Sequence, residues 1–495
     1  MNNLKKILTI PQLRNADNYS IKKNSISSLE LMENAAYSFV KAFEKKDIAS
    51  KRIMVVCGIG NNGGDGLAVC RLLRDKGIPA TAVLVKFKKT LSKDCSSNQK
   101  KLNDLVFLNS TSRLPDFSNI DIIIDAIFGS GLNKPVKGFV ARVIKAINNS
   151  GKTVYSIDVP SGLLCDNISN SECIVKSDFV ISFQRPKLSF FFPENSSYIK
   201  NWEIVNIGLC ETFIQNQESD KFILDKKVSK FVKIRQRHSH KGTYGHSLLM
   251  AGSYGKMGAA ILSTKACLRS GVGLLTTCIP KCGYEIIQIS IPESMCLTDK
   301  NPNILTKLPD IKQYDSIGIG PGIGKDRLTV KLLGKLLKNS IQPLVLDADA
   351  INIISAHNKL VKLLPKNTIL TPHIKEFDRL VGKSQNTFER LKKQKEFSQK
   401  HRCIVVLKDA YTCISSLEGK LFFNTSGNQG MATGGSGDVL TGIITGLLAQ
   451  KYKPLYAAII AVYFHGKAGD KAFRNKGYNS LIASDIIEHL NIKNR

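Results

Sequence analysis

The sequence predicts two α/β domains in tandem, each a parallel sheet held between layers of helices. Three observations carry this. With 495 residues, the chain exceeds the size at which a single hydrophobic core keeps growing, so two domains are expected. Short runs rich in β-branched residues alternate with helical patterns along the whole length, which is how strands linked by crossover helices read. Glycine-rich segments follow several of these runs, and the two halves carry different glycine signatures, which argues for a joining of unlike domains rather than a duplication.

In the first half, RIMVVCGIG (52–60), TAVLVKF (81–87), IDIIIDAIFG (120–129), TVYSIDVPSG (153–162) and DFVISF (178–183) read as strands, enough for one doubly wound domain. After NWEIVNIGLC the chain turns polar through residues 211–221, so a boundary is expected near residue 215, with domains 1–215 and 222–495. The second half restarts with HSLLMAG (246–252). It continues through DSIGIGPGIG (315–324), PLVLDADAIN (343–352), NTILTPH (367–373) and CIVVLKDAYT (403–412), with a helical tail from Val439 onward.

Composition narrows the function classes. The formal net charge is +31 at pH 7, a field that would attract polyanions. The lysines, however, are scattered through amphipathic stretches such as 331–338 and 392–400, with no arginine-rich block and no interleaved aromatics, so a solvated surface is expected and no nucleic-acid partner. Twelve cysteines occur with no CxxC pair, which fits a reduced, cytoplasmic setting. The opening MNNLKKILTI has an apolar run too short for a secretory leader, and the longest apolar run, 455–464, is half of what a bilayer span needs, so no membrane partner is expected.

Chemistry in the first half centres on GIGNNGGDG (58–66), which follows a strand and opens a helical pattern. That order presents backbone N–H groups to an anion at a helix N-terminus. No Gly-Lys-Ser/Thr follows, so this is not a Walker loop, and a tight strand-to-helix turn would need glycines as well. Two further strand ends carry Asp125, followed by FGSGLNKP, and Asp158 with Ser161 in DVPSG. In open α/β sheets such ends converge on one crevice. Asn62, Asp125 and Ser161 are oxygen donors suited to a hard cation, whereas Asp158 is a candidate for proton transfer, for binding a ligand hydroxyl, or for a structural cap.

LMENAA (31–36), GNNGGDG, DAIFGSGL and DVPSGL resemble, in order and spacing, the NAD(P)H-hydrate epimerase domain over roughly the first 210 residues. The resemblance implies a Rossmann-like fold and interconversion of the R and S forms of hydrated NADH and NADPH. It implies ligand contacts at Asn61, Asn62, Gly63, Gly64 and Asp65, at Gly129, Ser130, Gly131, Leu132, Asn133, Lys134 and Pro135, and at Asp158, which is also taken as catalytic. It implies potassium at Asn62, Asp125 and Ser161. Ala36 stands where the family often has glycine, and Asn133 where arginine is common.

In the second half, GNQGMATGGSGDVL (427–440) packs five glycines into a small-residue run that ends at Asp438, with a helix expected to begin near Gly437. Converging N–H groups there form an anion hole, and the helix dipole favours an ionised Asp438, as a base requires. With HKGTYG, GKMGAA, GPGIG, LDADAIN, TPH and LKDAYT, this set resembles the ribokinase-like ADP- or ATP-dependent NAD(P)H-hydrate dehydratases. The resemblance implies nucleotide contacts at Lys408, Asp409, Ala410, Tyr411, Thr412 and Gly437, and hydrate contacts at Ala260, Gly322, His373 and the catalytic Asp438. It also implies Mg2+, ADP as co-substrate, and a homo-oligomer. TPHIKEF stands where the family usually reads TPHPGE, and Asp409 replaces a glycine.

The combined expectation is a fused repair enzyme that equilibrates the hydrate epimers and dehydrates the S form with nucleotide cleavage. The alternatives are a ribokinase-like small-molecule kinase with a ligand-binding N-terminal domain, and a basic RNA-binding module on the first domain.

Overall fold

The computed structural model describes residues 4–169 and 171–494; residues 1–3 of the opening stretch lie outside this range. The chain divides into two compact units, one of residues 6–219 and one of residues 220–494 together with Leu4 and Lys5.

In the first unit, helices α1 (Ile10–Asn24) and α2 (Ser28–Phe43) precede the sheet. Both have capping boxes: Thr9 with Gln12, and Ser27 with Glu30. The strands are β1 (Ile53–Cys57), β2 (Ala80–Val85), β3 (Val106–Leu108), β4 (Ile122–Ala126), β5 (Thr153–Ile157), β6 (Phe179–Phe183) and β7 (Trp202–Val205). Their order is β3-β2-β1-β4-β5-β6-β7, parallel throughout, which is the Rossmann arrangement with one strand added. The order reverses between β1 and β4, so a crevice opens at the carboxyl ends of these strands. Helix α3 (Asn61–Asp75) starts directly after β1, so GNNGGDG forms the first turns of a helix rather than a loop before one. Apolar side chains fill both faces, Phe39, Phe43 and Leu67 on one and Val56, Ile123 and Val143 on the other.

The second unit contains β8 (Lys221–Leu224), β9 (His246–Met250), β10 (Leu274–Ile279), β11 (Met295–Thr298), β12 (Ser316–Ile319), β13 (Leu344–Leu346), β14 (Ile369–Leu370), β15 (Ile404–Leu407), β16 (Cys413–Ser415) and β17 (Leu421–Asn424). Their order is β8-β17-β16-β15-β14-β13-β12-β9-β10-β11. Only β16 runs antiparallel to its neighbours, because short hairpins join it to β15 and β17. The helices that matter below are α4 (Met257–Arg269), α5 (Ala348–Ala356), α6 (Ile374–Val381), α7 (Ser436–Ala449) and α8 (Pro454–Lys476). Helix α7 lies unusually close to α4: a Cβ at Gly442 or Gly446 would run into Ser263 O or Ser270 Oγ. Those glycines let the body of α7 pack directly on α4, which holds the helix that carries the glycine loop. Leu4, from the start of the chain, is fully buried in this unit's core.

The lysine-rich stretches 331–338 and 392–400 fall in the helices Arg327–Asn339, which buries a leucine stripe, and Thr387–His401, whose buried face mixes Leu391 and Phe397 with Thr387, Gln394 and Ser398. Among the described residues no helix is long and apolar enough to cross a membrane.

Candidate active sites

The crevice of the first unit is a cleft of about 940 Å3. Asn61, Asn62 and Asp65 reach it from the start of α3, residues 129–133 from the loop after β4, and Asp158 from the end of β5. Of the expected ligand residues, Gly63 and Gly64 are buried instead; a Cβ at Gly64 would lie 2.7 Å from Met32 Sδ, so this glycine lets α3 pack on α2. Lys134 and Pro135 face a neighbouring hollow of about 730 Å3.

Asp158 sits in the left-handed region at φ 64, a conformation that aspartate tolerates better than most residues and that tends to be kept where function needs it. Its Oδ1 accepts from Lys187 Nζ at 2.5 Å, from Ser182 Oγ at 3.2 Å and from the Phe183 N–H at 3.2 Å. Burial alone would raise this carboxyl, but the Lys187 ammonium and these hydrogen bonds hold it below the ordinary aspartate value. Asp65 shows the opposite outcome: burial and the charges of Asp158, Asp17 and Asp94 push it well up. Lys187, the buried cation paired with Asp158, is a residue that the motifs do not flag. Its signal was a lysine set directly before the apolar run LSFFF.

Asp125 is fully buried, and four neutral donors reach it: Ser161 Oγ at 2.5 Å, the Ser161 N–H at 2.8 Å, Ser156 Oγ at 2.9 Å and the Ile127 N–H at 3.3 Å. Burial pushes its carboxyl up and the hydrogen bonds offset part of that. Among the described residues no basic side chain pairs with it. Asn62 Nδ2 is buried without a hydrogen-bond partner, and Asn62 Oδ1 would lie 2.9 Å from a Cβ at Gly129. Ser161 Oγ meets the same segment, accepting from the Phe128 N–H at 2.8 Å. An uncompensated buried carboxylate with amide and hydroxyl oxygens around one loop fits a monovalent cation.

In the second unit, the strand ends bring Lys408, Asp347 and Glu376 together beside the glycine loop. Lys408 Nζ donates to Asp347 Oδ1 at 2.9 Å, and Thr441 Oγ1 donates to Asp347 Oδ2 at 2.7 Å. A Cβ at Gly437 would lie 3.1 Å from Lys408 Nζ, so the helix start nearly touches the ammonium. Burial would lower Lys408, yet the carboxylates of Asp347, Glu376 and Asp438 carry it above the ordinary lysine value. Glu376 is raised by burial.

Asp438 stands in the first turn of α7. The dipole alone favours ionisation, but burial and the Asp347 charge dominate: the carboxyl is pushed up to about 7, with Lys408 partly opposing and Asp349 adding to the rise. Of the loop amides expected to hold an anion, that of Ser436 is turned to Thr433 O at 3.4 Å. Those of Gly437 and Asp438 have no acceptor among the described residues, as the open N-terminus of a helix provides. Gly435, the N-cap, takes φ 88, where a side chain would be strained. Ser436 Oγ lies 3.4 Å from Nε2 of His465, a buried histidine of α8 that burial pushes down to about 4 and so keeps neutral.

The remaining expected contacts are spread around this centre. His373 is the N-cap of α6, its Nδ1 accepting from the Glu376 N–H at 3.2 Å and its Nε2 lying 3.5 Å from Glu376 Oε1, with about half of the side chain exposed. Its backbone forms a bridge with Lys408, which ties the two strand ends. Asp409 accepts from the Ala410 N–H at 2.8 Å, and Thr412 Oγ1 donates to Asp409 O at 3.2 Å, so residues 408–412 form a self-supported turn. Gly322 O accepts from Ser253 Oγ at 2.7 Å. Ala260 is wholly buried in α4, packed in the core, and any contribution it makes is to the shape of the site. Among the described residues no group of three or more His, Cys, Asp or Glu side chains is arranged to hold a metal.

A family model described as NAD(P)H-hydrate dehydratase matches residues 247–491, and one described as YjeF-related protein N-terminus matches residues 28–189. A bifunctional NAD(P)H-hydrate repair enzyme of Moorella thermoacetica is 32% identical over 506 residues, covering 98% of this chain and 96% of that protein. One of Coxiella burnetii is 33% identical over 486 residues, covering 97% and 98%. Among solved structures, a ribokinase-like superfamily protein of Enterococcus faecalis is 32% identical, covers 55% of this chain and 95% of its own, and superposes with a TM-score of 0.50.

Proposed function

The chain belongs to the family of bifunctional NAD(P)H-hydrate repair enzymes, and from that premise we propose how its two units divide the work. The first is the epimerase unit and the second the dehydratase unit. Hydrated NADH or NADPH enters the 940 Å3 cleft of the first unit, with Asn61, Asp65, residues 129–133 and Asp158 around it. Asn62, Asp125 and Ser161 would hold K+, which supplies the positive charge that the buried Asp125 lacks.

In the dehydratase unit, water leaves only after its oxygen becomes a better leaving group. The hydroxyl oxygen of the S hydrate attacks the terminal phosphorus of ADP, AMP departs, and Asp438 takes the hydroxyl proton. The open amides of Gly437 and Asp438, with Lys408 beside them, bind the charge that grows on the phosphoryl oxygens. The ring nitrogen lone pair then expels phosphate, and a proton lost from the neighbouring carbon restores the dihydronicotinamide. Mg2+ would be held chiefly by the nucleotide phosphates, since among the described residues no carboxylate cage is arranged to hold it. ADP is the nucleotide of this reading, and its setting is a homo-oligomer in the cytoplasm.

The observation that carries the reading is the placement of Asp438 at a helix mouth beside the Lys408–Asp347 pair, with its carboxyl near 7. Nucleotide cleavage measured against hydrate consumed tests it: one AMP per hydrate is expected, and hydrate breakdown without nucleotide cleavage overturns it.

A further inference from the structure

Helix α1 lies outside the stretch of the first unit that the family model covers, residues 28–189, yet one face of it forms a wall of the epimerase cleft. Arg14, Asp17, Asn18 and Ile21 all line that cleft, and their spacing of i, i+3, i+4 and i+7 is that of a single helix face. The adjoining face, Leu13, Ala16 and Ser20, is buried in the unit, so the orientation of the wall is fixed. Arg14 lies against the loop after β4, since a Cβ at Gly131 would sit 2.7 Å from its guanidinium. Asp17 is half-buried, and among the described residues its carboxylate has no hydrogen-bond or ion-pair partner.

Asp17 and Asp158 therefore present two carboxyl groups to one cleft in different states. Asp158 is clamped at Oδ1 by Lys187, Ser182 and Phe183 and held ionised. Asp17 is unclamped and, through burial and then the Asp158 charge, is raised to about 6, against the opposing pull of Lys187 and Arg14. Two titratable groups pushed apart in this way are the arrangement that separates an acid from a base.

Resting on the epimerase reading above, we propose that Asp17 is an acid–base residue of epimerisation, working as the partner of Asp158 across the hydroxyl-bearing carbon of the hydrate. The protonated Asp17 gives its proton to the hydroxyl oxygen. The carbon–oxygen bond breaks as the ring nitrogen lone pair becomes a C=N+ bond, and water leaves. A water molecule then adds to the other face of that carbon, the π pair returns to nitrogen, and the released proton passes to Asp158. Asp158 then gives that proton to solvent and Asp17 takes one up from solvent, which resets the site; conversion of the opposite epimer is the same steps in reverse. No oxidant or reductant is needed.

The test uses the full chain, mixed R and S hydrates and ADP, with dihydronicotinamide absorbance followed in time. The S fraction is consumed in a first phase and the R fraction in a second phase set by epimerisation. Asp17→Asn is expected to leave the first phase unchanged and to slow the second about 100-fold or more, with Asp17→Glu restoring part of the rate. In the unsubstituted protein the second phase should fall as pH rises through about 6, and Asp17→Asn should remove that limb. The groups facing Asp17 that could also titrate or shift it are Arg14 on its own helix, Asp65 from α3, Asp94, Asp158 and Lys187. A second phase of normal rate and unaltered pH profile in Asp17→Asn overturns the assignment. A second phase no faster in the unsubstituted protein than without enzyme overturns the epimerase reading itself.

Discussion

Lys187 Nζ lies 2.5 Å from Oδ1 of Asp158, and both residues are almost wholly buried. The pair keeps a carboxylate ionised where burial alone would neutralise it. Replacing the lysine by an apolar residue of similar length, Lys187→Met, leaves that charge unpaired, at a cost of about 3–5 kcal/mol. The folded-state carboxyl of Asp158 is lowered, so its contribution is present above the unfolded carboxylate range and lost as pH falls through the folded value. Urea unfolding of the full chain at pH 7 should show this loss in the transition of the first unit alone, and the difference from the unsubstituted protein should shrink in acid.

In the proposed mechanism Asp438→Asn removes the proton acceptor of dehydration without changing its shape. Hydrate breakdown should fall by about 100- to 10,000-fold, while interconversion of the epimers, read by separating R and S forms, continues. In the unsubstituted protein kcat/KM for dehydration should drop as pH falls through about 7, because the base must be ionised. Loss of both activities in a folded variant would contradict independent sites.

Asp158→Asn should have the opposite effect on the two phases of conversion: the S fraction supplied is dehydrated at the normal rate, and the R fraction waits on slow spontaneous epimerisation.

Asp125 offers a test of the cation. Epimerisation should be faster in K+ than in Li+, with dehydration of pure S hydrate indifferent to that exchange, and Asp125→Asn should abolish the difference. A K+ response that survives the substitution would remove Asp125 from the site.

His373 caps α6 and is also an expected hydrate contact, and two substitutions separate the roles. Asparagine keeps the cap, whereas alanine loses about 1 kcal/mol. A KM for the S hydrate that rises in His373→Asn with unchanged stability would come from lost contact with substrate, whereas a normal KM would leave the cap as its whole role.

The parts of this molecule legible in the sequence were those with a local signature. The strands around Val55, Ile124 and Val405 are continuous apolar runs buried on both faces, and the motifs GNNGGDG, DAIFGSGL and LKDAYT stand at their carboxyl ends. The short strands Val106–Leu108, Met295–Thr298 and Cys413–Ser415 had no such run, because edge and hairpin strands are specified by their neighbours. The same holds for the sites. Asp438 and Asp158 sit in recognisable glycine turns, whereas Asp17 reaches the cleft through a helix face and Lys187 reaches Asp158 from a buried turn, both of which only the fold brings near. Even at Asp438 the expectation of a readily ionised group gave way to burial and the Asp347 charge, a long-range pairing that no local pattern carries.

In the proposed function both units act in sequence on one damaged cofactor. This is tested most directly by supplying an equal mixture of R and S hydrates with excess ADP and recording dihydronicotinamide recovery and AMP together. Complete recovery in two phases, with one AMP per dihydronicotinamide formed, is the expected result. Recovery that stops at the S fraction, or that proceeds without AMP, would contradict it.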